Sequence, residues 1–323
     1  MNEQTLLDRI REVTGIRKEG PLTMVRDTTD FMRINPGDLL QLDGRYYYVR
    51  GEAVEGRFGL DGEPKFWVKR ALDLEDGSMK YIKLVFHESF TMNLGVQAIK
   101  CYRSPDKESR ILDLSRGDPR FMQGFTVADE AGNSVRVIDK VEGARFYDFI
   151  HDRQEDHETY FRETFPSVLR SVMECVEAIE KLHQGGEIHG DIRNDHIIIN
   201  PRLGRYVWID FDYAYDWSEN PYGVDLFGLG NVLLFAAGKG FHTLPDVCGN
   251  TTGCYLYGAT LNHDDCSLFF PHRIMALGKL FPYVPESLDY VLLHFANGAE
   301  IYYETTAELI ADLRVVAKDI GAE

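Results

Sequence analysis

The stretch from His189 to Asp212, HGDIRNDHIIINPRLGRYVWIDFD, constrains the fold of this chain more than any other. It reads as a polar loop carrying Asp191 and His196, an apolar run (Ile197, Ile198, Ile199), a turn over residues 200–204, and a strand from Tyr206 to Ile209 that delivers Asp210. A hairpin returns its two ends to one place, so Asp191, His196, Asp210 and Asp212 are expected at a single mouth. Gathering carboxylates around an imidazole is unfavourable unless a cation or a proton-transfer task uses them.

The chain of 323 residues, 44% of them hydrophobic, is long enough for two lobes, each with a core. With 52 acidic and 35 basic residues its formal charge is −17, which disfavours nucleic acid and anionic membranes as partners. The N-terminus, MNEQTLLDRIREV, lacks the apolar centre of a signal peptide. No apolar run approaches the ~18 residues of a membrane-spanning helix, so a cytoplasmic location is expected. The odd cysteine count, five, points to reduced thiols rather than a disulfide framework. Cys248, Cys254, His263 and Cys266, with His242 upstream, leave a structural zinc site as an alternative, although their spacing contains no tight CxxC pair.

Residues 1 to about 40 read as an N-terminal helical extension, with Leu6, Leu7, Ile10 and Val13 on one face. From Arg45 the pattern turns to strands: RYYYVRGEAVEG, KFWVKRALDL and MKYIKLVF. A charged helical segment, PDKESRILDLSRGD, follows, and then two further strands around FTVADE and SVRVIDKV. After Gly143 the pattern becomes mainly helical. Its clearest helix runs from Ser167 to about His183, with Leu169, Val172, Val176, Ile179 and Leu182 at three- and four-residue spacing. The expected organisation is an N-terminal lobe over 41–140 and a C-terminal lobe over 141–323.

This order of elements, together with HGDIRNDHI followed by IDFD, resembles the protein kinase family, in particular divergent bacterial-type serine/threonine kinase-like proteins. HGDIRNDHI is similar to the family's H-x-D-x-x-x-x-N catalytic loop, and IDFD to its D-F-G metal motif. The resemblance implies an α+β, bilobal protein kinase-like fold, with an antiparallel β-sheet lobe bearing one helix and a mainly helical second lobe. It also implies ATP and Mg²⁺ or Mn²⁺ as cofactors. Asp191 then orients the attacking hydroxyl or accepts its proton, Asp210 holds metal, and Arg193 offers a cation to the moving phosphate. Lys80-Tyr81-Ile82-Lys83 resembles the V-A-I-K strand, which makes Lys83 the candidate for the α- and β-phosphates and Glu108 its partner. Gly56 and Gly59 stand where a glycine-rich loop would let backbone N–H groups reach phosphate. Ile138, Asp139, Lys140 and Val141 correspond to the hinge that meets adenine, and Asp225 to a brace for the catalytic-loop backbone.

The chain departs from the family's pattern at several positions. His196 occupies the place of the metal-binding asparagine, as in bacterial lipopolysaccharide sugar kinases, and Asp212 replaces the flexible glycine. Both are expected to ligate metal, and imidazole shifts preference from Mg²⁺ toward softer ions such as Mn²⁺. Tyr81 narrows the adenine pocket, and the short segment between Asp210 and Asp225 has no room for an activation segment read by phosphorylation. Three readings follow. The first is an ATP-dependent enzyme phosphorylating a protein hydroxyl. The second is a kinase of a sugar or other small-molecule hydroxyl, and the third a nucleotide-binding pseudokinase acting through a partner.

Overall fold

Leu39–Leu42 ends in Asp43-Gly44, two successive residues at φ 45° and 74°, a turn suited to a tight hairpin. That turn sends the chain into Arg45–Arg57 and founds a sheet. In the computed structural model, which describes residues 2–15, 20–57, 60–94, 97–249 and 251–322, the chain forms two units. The first comprises Met1–Glu88 with Arg103–Val141, and the second Ser89–Tyr102 with Glu142–Glu323. Among the described residues no helix is long and apolar enough to cross a membrane.

The first unit is a seven-stranded sheet with the spatial order Met24–Val25, Leu39–Leu42, Arg45–Arg57, Leu60–Asp73, Met79–Lys83, Ser134–Asp139, Gly124–Ala128. The first pair is parallel and every other neighbour antiparallel. Five strands were expected from the sequence, and two more extend the sheet from within the first 42 residues. Alternation along the strands buries Leu40, Leu42, Tyr47, Val49, Ala71, Ile82, Val135 and Val137 in one cluster. The N-terminal helix Glu3–Thr14, capped by Asn2 and ended by Gly15, buries Leu6 and Ile10 against Leu39, Tyr48 and Leu74. The helix Pro105–Leu114 begins at a Ser104 cap, carries Pro105 in its first turn, and buries Glu108, Ile111 and Leu112.

The second unit is built on helices, chiefly Phe165–Gln184, Gly223–Ala237, Glu286–Leu293 and Thr306–Asp319. Its hairpin is the one expected: Ile197–Asn200 pairs antiparallel with Arg205–Trp208, and Ala144–Arg145 adds a third strand. Gly143, at φ 145°, admits this neighbour because a Cβ there would lie 2.1 Å from the Ile199 carbonyl oxygen. Trp208 donates its indole N–H to the Cys175 carbonyl at 3.0 Å, tying hairpin to long helix. A second hairpin, Ser89–Leu94 with Gln97–Arg103, is absent from the sequence expectation, and it lies beside Tyr213–Asp216 in a three-stranded sheet. Ile99 and Cys101 on its inner face cluster with Tyr215, which makes an exposed-looking segment an integral layer of this unit.

The reduced-thiol expectation is corrected for one pair. Cys248 and Cys254 form a disulfide across a Cα–Cα distance of 5.5 Å, because the loop between them folds back into the hairpin Gly253–Leu256 and Ala259–Asn262. Cys101, Cys175 and Cys266 are buried thiols outside that disulfide. With two of its four candidate ligands bonded to each other, the zinc alternative fails.

Candidate active site

Lys83 and Arg136 lie directly opposite one another on neighbouring strands. Like charges in that relation repel, and both side chains are buried, so an anion between them is needed. Glu108, fully buried on the helix Pro105–Leu114, supplies it. Its Oε1 is 2.7 Å from Lys83 Nζ, and its Oε2 accepts from Arg136 Nε at 3.2 Å. Arg136 also donates through its two terminal nitrogens to the Ser134 carbonyl at 2.7 Å and the Leu84 carbonyl at 3.2 Å. Sequence reasoning paired Lys83 with Glu108 and missed Arg136. The available signal was a lone arginine inside the apolar run SVRVID.

In the second unit the catalytic-loop candidate is pinned from below. Asp225, near the start of the buried helix Gly223–Ala237, accepts the N–H of His189 at 2.7 Å and of Gly190 at 2.8 Å, and meets His183 Nε2 at 3.1 Å. Burial opposes its ionisation, but His183, His189 and the Gly190 amide outweigh that and hold its carboxyl below the ordinary aspartate value. Gly228 lets the same helix approach the loop, since a Cβ there would sit 2.6 Å from Ile192 Cβ. His189 is sealed between rings, edge-on to Trp208 at 4.9 Å and to Phe211 at 4.8 Å. Its Nδ1 accepts from the Asp191 N–H at 3.3 Å, so its part is to orient the loop.

The loop brings Asp191, His196 and Asp210 together. His196 Nδ1 lies 2.8 Å from the Asp191 carbonyl oxygen and 3.6 Å from its Oδ2, while Nε2 lies 3.7 Å from Asp210 Oδ2. Because a carbonyl only accepts, Nδ1 carries a proton and the acceptor nitrogen of a neutral ring is on the Asp210 side. Asp210 holds a left-handed backbone at φ 68°, which its short polar side chain tolerates; such strain, about 1–3 kcal/mol, concentrates at functional sites. Burial raises the Asp191 carboxyl above the ordinary aspartate value. His196 and Arg193 oppose that, and Asp210 and Asp212 reinforce it. The Cys101 thiol is likewise raised by burial and by the charges of Asp191 and Asp216, which sets the unexpected hairpin beside this loop.

Arg193 is gripped by Asp195 in a two-pronged pair, with Nε to Oδ1 at 2.9 Å and a second, shorter contact through a terminal nitrogen to Oδ2. Burial alone would raise the Asp195 carboxyl. His196 and Arg193 override it and hold the group below its ordinary value. Asp195 was not among the sequence candidates, although its position two residues after Arg193 was visible.

The remaining candidates are more dispersed. Asp212 is buried beside the fully buried Phe211. Ile138 is laddered to Tyr81 on one side and Gly124 on the other, and the N–H groups of Asp139 and Lys140 are engaged with the Gln123 and Met79 carbonyls. Asp139 also pairs with Lys80 at 2.6 Å, and Val141 is half-buried at the end of the first unit. Gly56 lies within the strand Arg45–Arg57, and Gly59 falls outside the described residues. Among the described residues no group of three or more His, Cys, Asp and Glu side chains is arranged to hold a metal ion. A cation shared by His196 and Asp210 would therefore draw further oxygens from phosphate or water, as Mg²⁺ and Mn²⁺ commonly do. Neither protein-family models nor curated proteins gave a match to the chain.

Proposed function

We propose that the chain is an ATP-dependent phosphotransferase of protein kinase-like, bilobal fold that acts on a hydroxyl of a protein side chain. The observation that carries the reading is the buried ion pair of Lys83 with Glu108 at 2.7 Å. Residues 25 apart, chosen as partners from motif resemblance alone, meet on a strand and on the helix that follows it. The strand order from Arg45–Arg57 to Gly124–Ala128, with Pro105–Leu114 as the one helix among the described residues between the third and fourth of these in sequence, supports the same reading.

In this assignment Lys83 would bind the α- and β-phosphates, and Asp210 with His196 would hold the divalent cation that neutralises phosphate charge. Asp191, its proton affinity raised by burial, is suited to take the proton of the attacking hydroxyl. Asp195 keeps the Arg193 guanidinium in one orientation beside Asp191. That two-pronged grip also favours the third reading, nucleotide binding without turnover, because a cation already paired attracts phosphate less strongly.

The test is ADP formation by the full chain with Mg²⁺ or Mn²⁺, together with phosphate transfer into protein and metabolite acceptors. Turnover that falls roughly 10³-fold in Asp191→Ala, at unchanged thermal stability, is expected. Full activity in that variant would sink the reading. Metal-dependent thermal stabilisation by ATP with no ADP release would establish the binding-only alternative, and transfer to metabolites alone would reassign the acceptor.

A further inference from the structure

We propose that Arg136 is a positioning residue for Lys83, acting through Glu108, and that it keeps the lysine–glutamate pair assembled before any nucleotide binds. The inference rests on the reading of Lys83 as a phosphate-binding residue and concerns the regulation of that same site.

Each oxygen of the Glu108 carboxylate has its own cation, Lys83 on Oε1 and Arg136 on Oε2. Arg136 cannot follow the helix if it moves, because its two terminal nitrogens are bonded to the Ser134 and Leu84 carbonyls of the sheet. A swing of the helix Pro105–Leu114 would therefore break two charge-assisted bonds. It would also leave opposed cations on the pair Lys83 and Arg136 without the anion they share. Buried Ile111 and Leu112, and the Ser109 hydroxyl bonded to Thr126 at 2.9 Å, hold the same helix to the same sheet. A single lysine–glutamate pair can open and close as a switch. The arginine makes this one a clasp whose closed state is built in, so activation by helix movement is not available to the protein.

The experiment follows amide hydrogen exchange over residues 105–114 and acylation of Lys83 by an amine-directed reagent, both in the full-length protein without nucleotide. The wild-type helix should exchange as slowly as the strand Ser134–Asp139, and ATP with Mg²⁺ should alter that rate by less than about twofold. Arg136→Met should accelerate exchange at 105–114 by about tenfold or more, and raise Lys83 labelling several-fold, while Leu39–Leu42 is unaffected. Arg136→Lys, which keeps the charge but not the fork, should fall between. A folded Arg136→Met protein with unchanged exchange and labelling would overturn the proposal, as would acceleration spread evenly over the sheet. If Arg136→Met does not fold, the wild-type protein still decides: rapid exchange at 105–114 that ATP with Mg²⁺ slows about tenfold would also overturn it. Neither readout needs turnover, so a failure to form ADP would count against the phosphotransferase reading and leave the clasp to be judged on exchange.

Discussion

In the first unit a buried carboxylate, Glu108, is enclosed by cations at 2.7 and 3.2 Å, and the arginine among them is bonded on to two carbonyls of the sheet. In the second unit a carboxylate of equal interest, Asp191, has no such enclosure. Its carboxylate lies 3.6 Å from the His196 ring, Asp210 and Asp212 repel it, and burial raises its proton affinity. The first arrangement settles charge and so fixes geometry. The second leaves a carboxylate with raised proton affinity, while the settling of charge is moved one layer down, to Asp225 and the amides it holds. Settled charge and raised proton affinity thus belong to different carboxylates.

The largest effect that could break this contrast is on stability. Glu108→Ala leaves Lys83 and Arg136 opposed inside the sheet, and it should destabilise the protein by about 3–5 kcal/mol in denaturant unfolding. A loss under about 1 kcal/mol would mean that the carboxylate is not what settles these charges. Asp225→Asn should do less, about 2 kcal/mol, by weakening bonds to two amides and to His183. Because the folded protein holds this carboxyl below the ordinary aspartate value, its contribution is present above that value and is lost as the pH falls through the lowered one. The stability gap between wild type and Asp225→Asn should therefore narrow in acid; a gap independent of pH would assign the loss to packing.

The smallest effect concerns a group that neither region uses. His157 stacks on Phe281 at 3.6 Å between centroids, and its two ring nitrogens meet the Tyr283 hydroxyl at 2.7 Å and the Ala237 carbonyl at 3.0 Å. Burial lowers it to about 4, so its contribution to stability is complete above the ordinary histidine range and is lost as the pH falls toward about 4. His157→Phe, which keeps the stack, should lower stability at neutral pH by about 1 kcal/mol and flatten the acid limb of the unfolding midpoint. An unchanged limb would place the acid sensitivity elsewhere, in groups such as Asp225.

Much of the candidate site was legible because its signals are local. The turn at Asn200 to Gly204 and the apolar runs beside it dictate a hairpin from near neighbours alone, and the ends of that hairpin carry Asp191 and Asp210. The helix Phe165–Gln184 follows from three- and four-residue periodicity in the same way. Asp43-Gly44 was an equally local signal for the additional strand Leu39–Leu42, and it went unread.

What only the tertiary structure decided lies at long separation. Arg136 reaches Glu108 across 28 residues, and its one local signal, a lone arginine inside the apolar run SVRVID, does not point to that partner. The hairpin Ser89–Leu94 with Gln97–Arg103 shows mixed polar and apolar residues, and its partner strand, Tyr213–Asp216, comes more than a hundred residues later. Arg193 looked like a cation available to phosphate until Asp195 was seen to grip it. The sequence by itself determined the elements and the residue types at their ends, since turns, caps and periodicity act through neighbouring atoms. Which charges are settled by a close partner and which have their proton affinity raised was decided by folding, because burial and ion pairing depend on what the rest of the chain brings alongside.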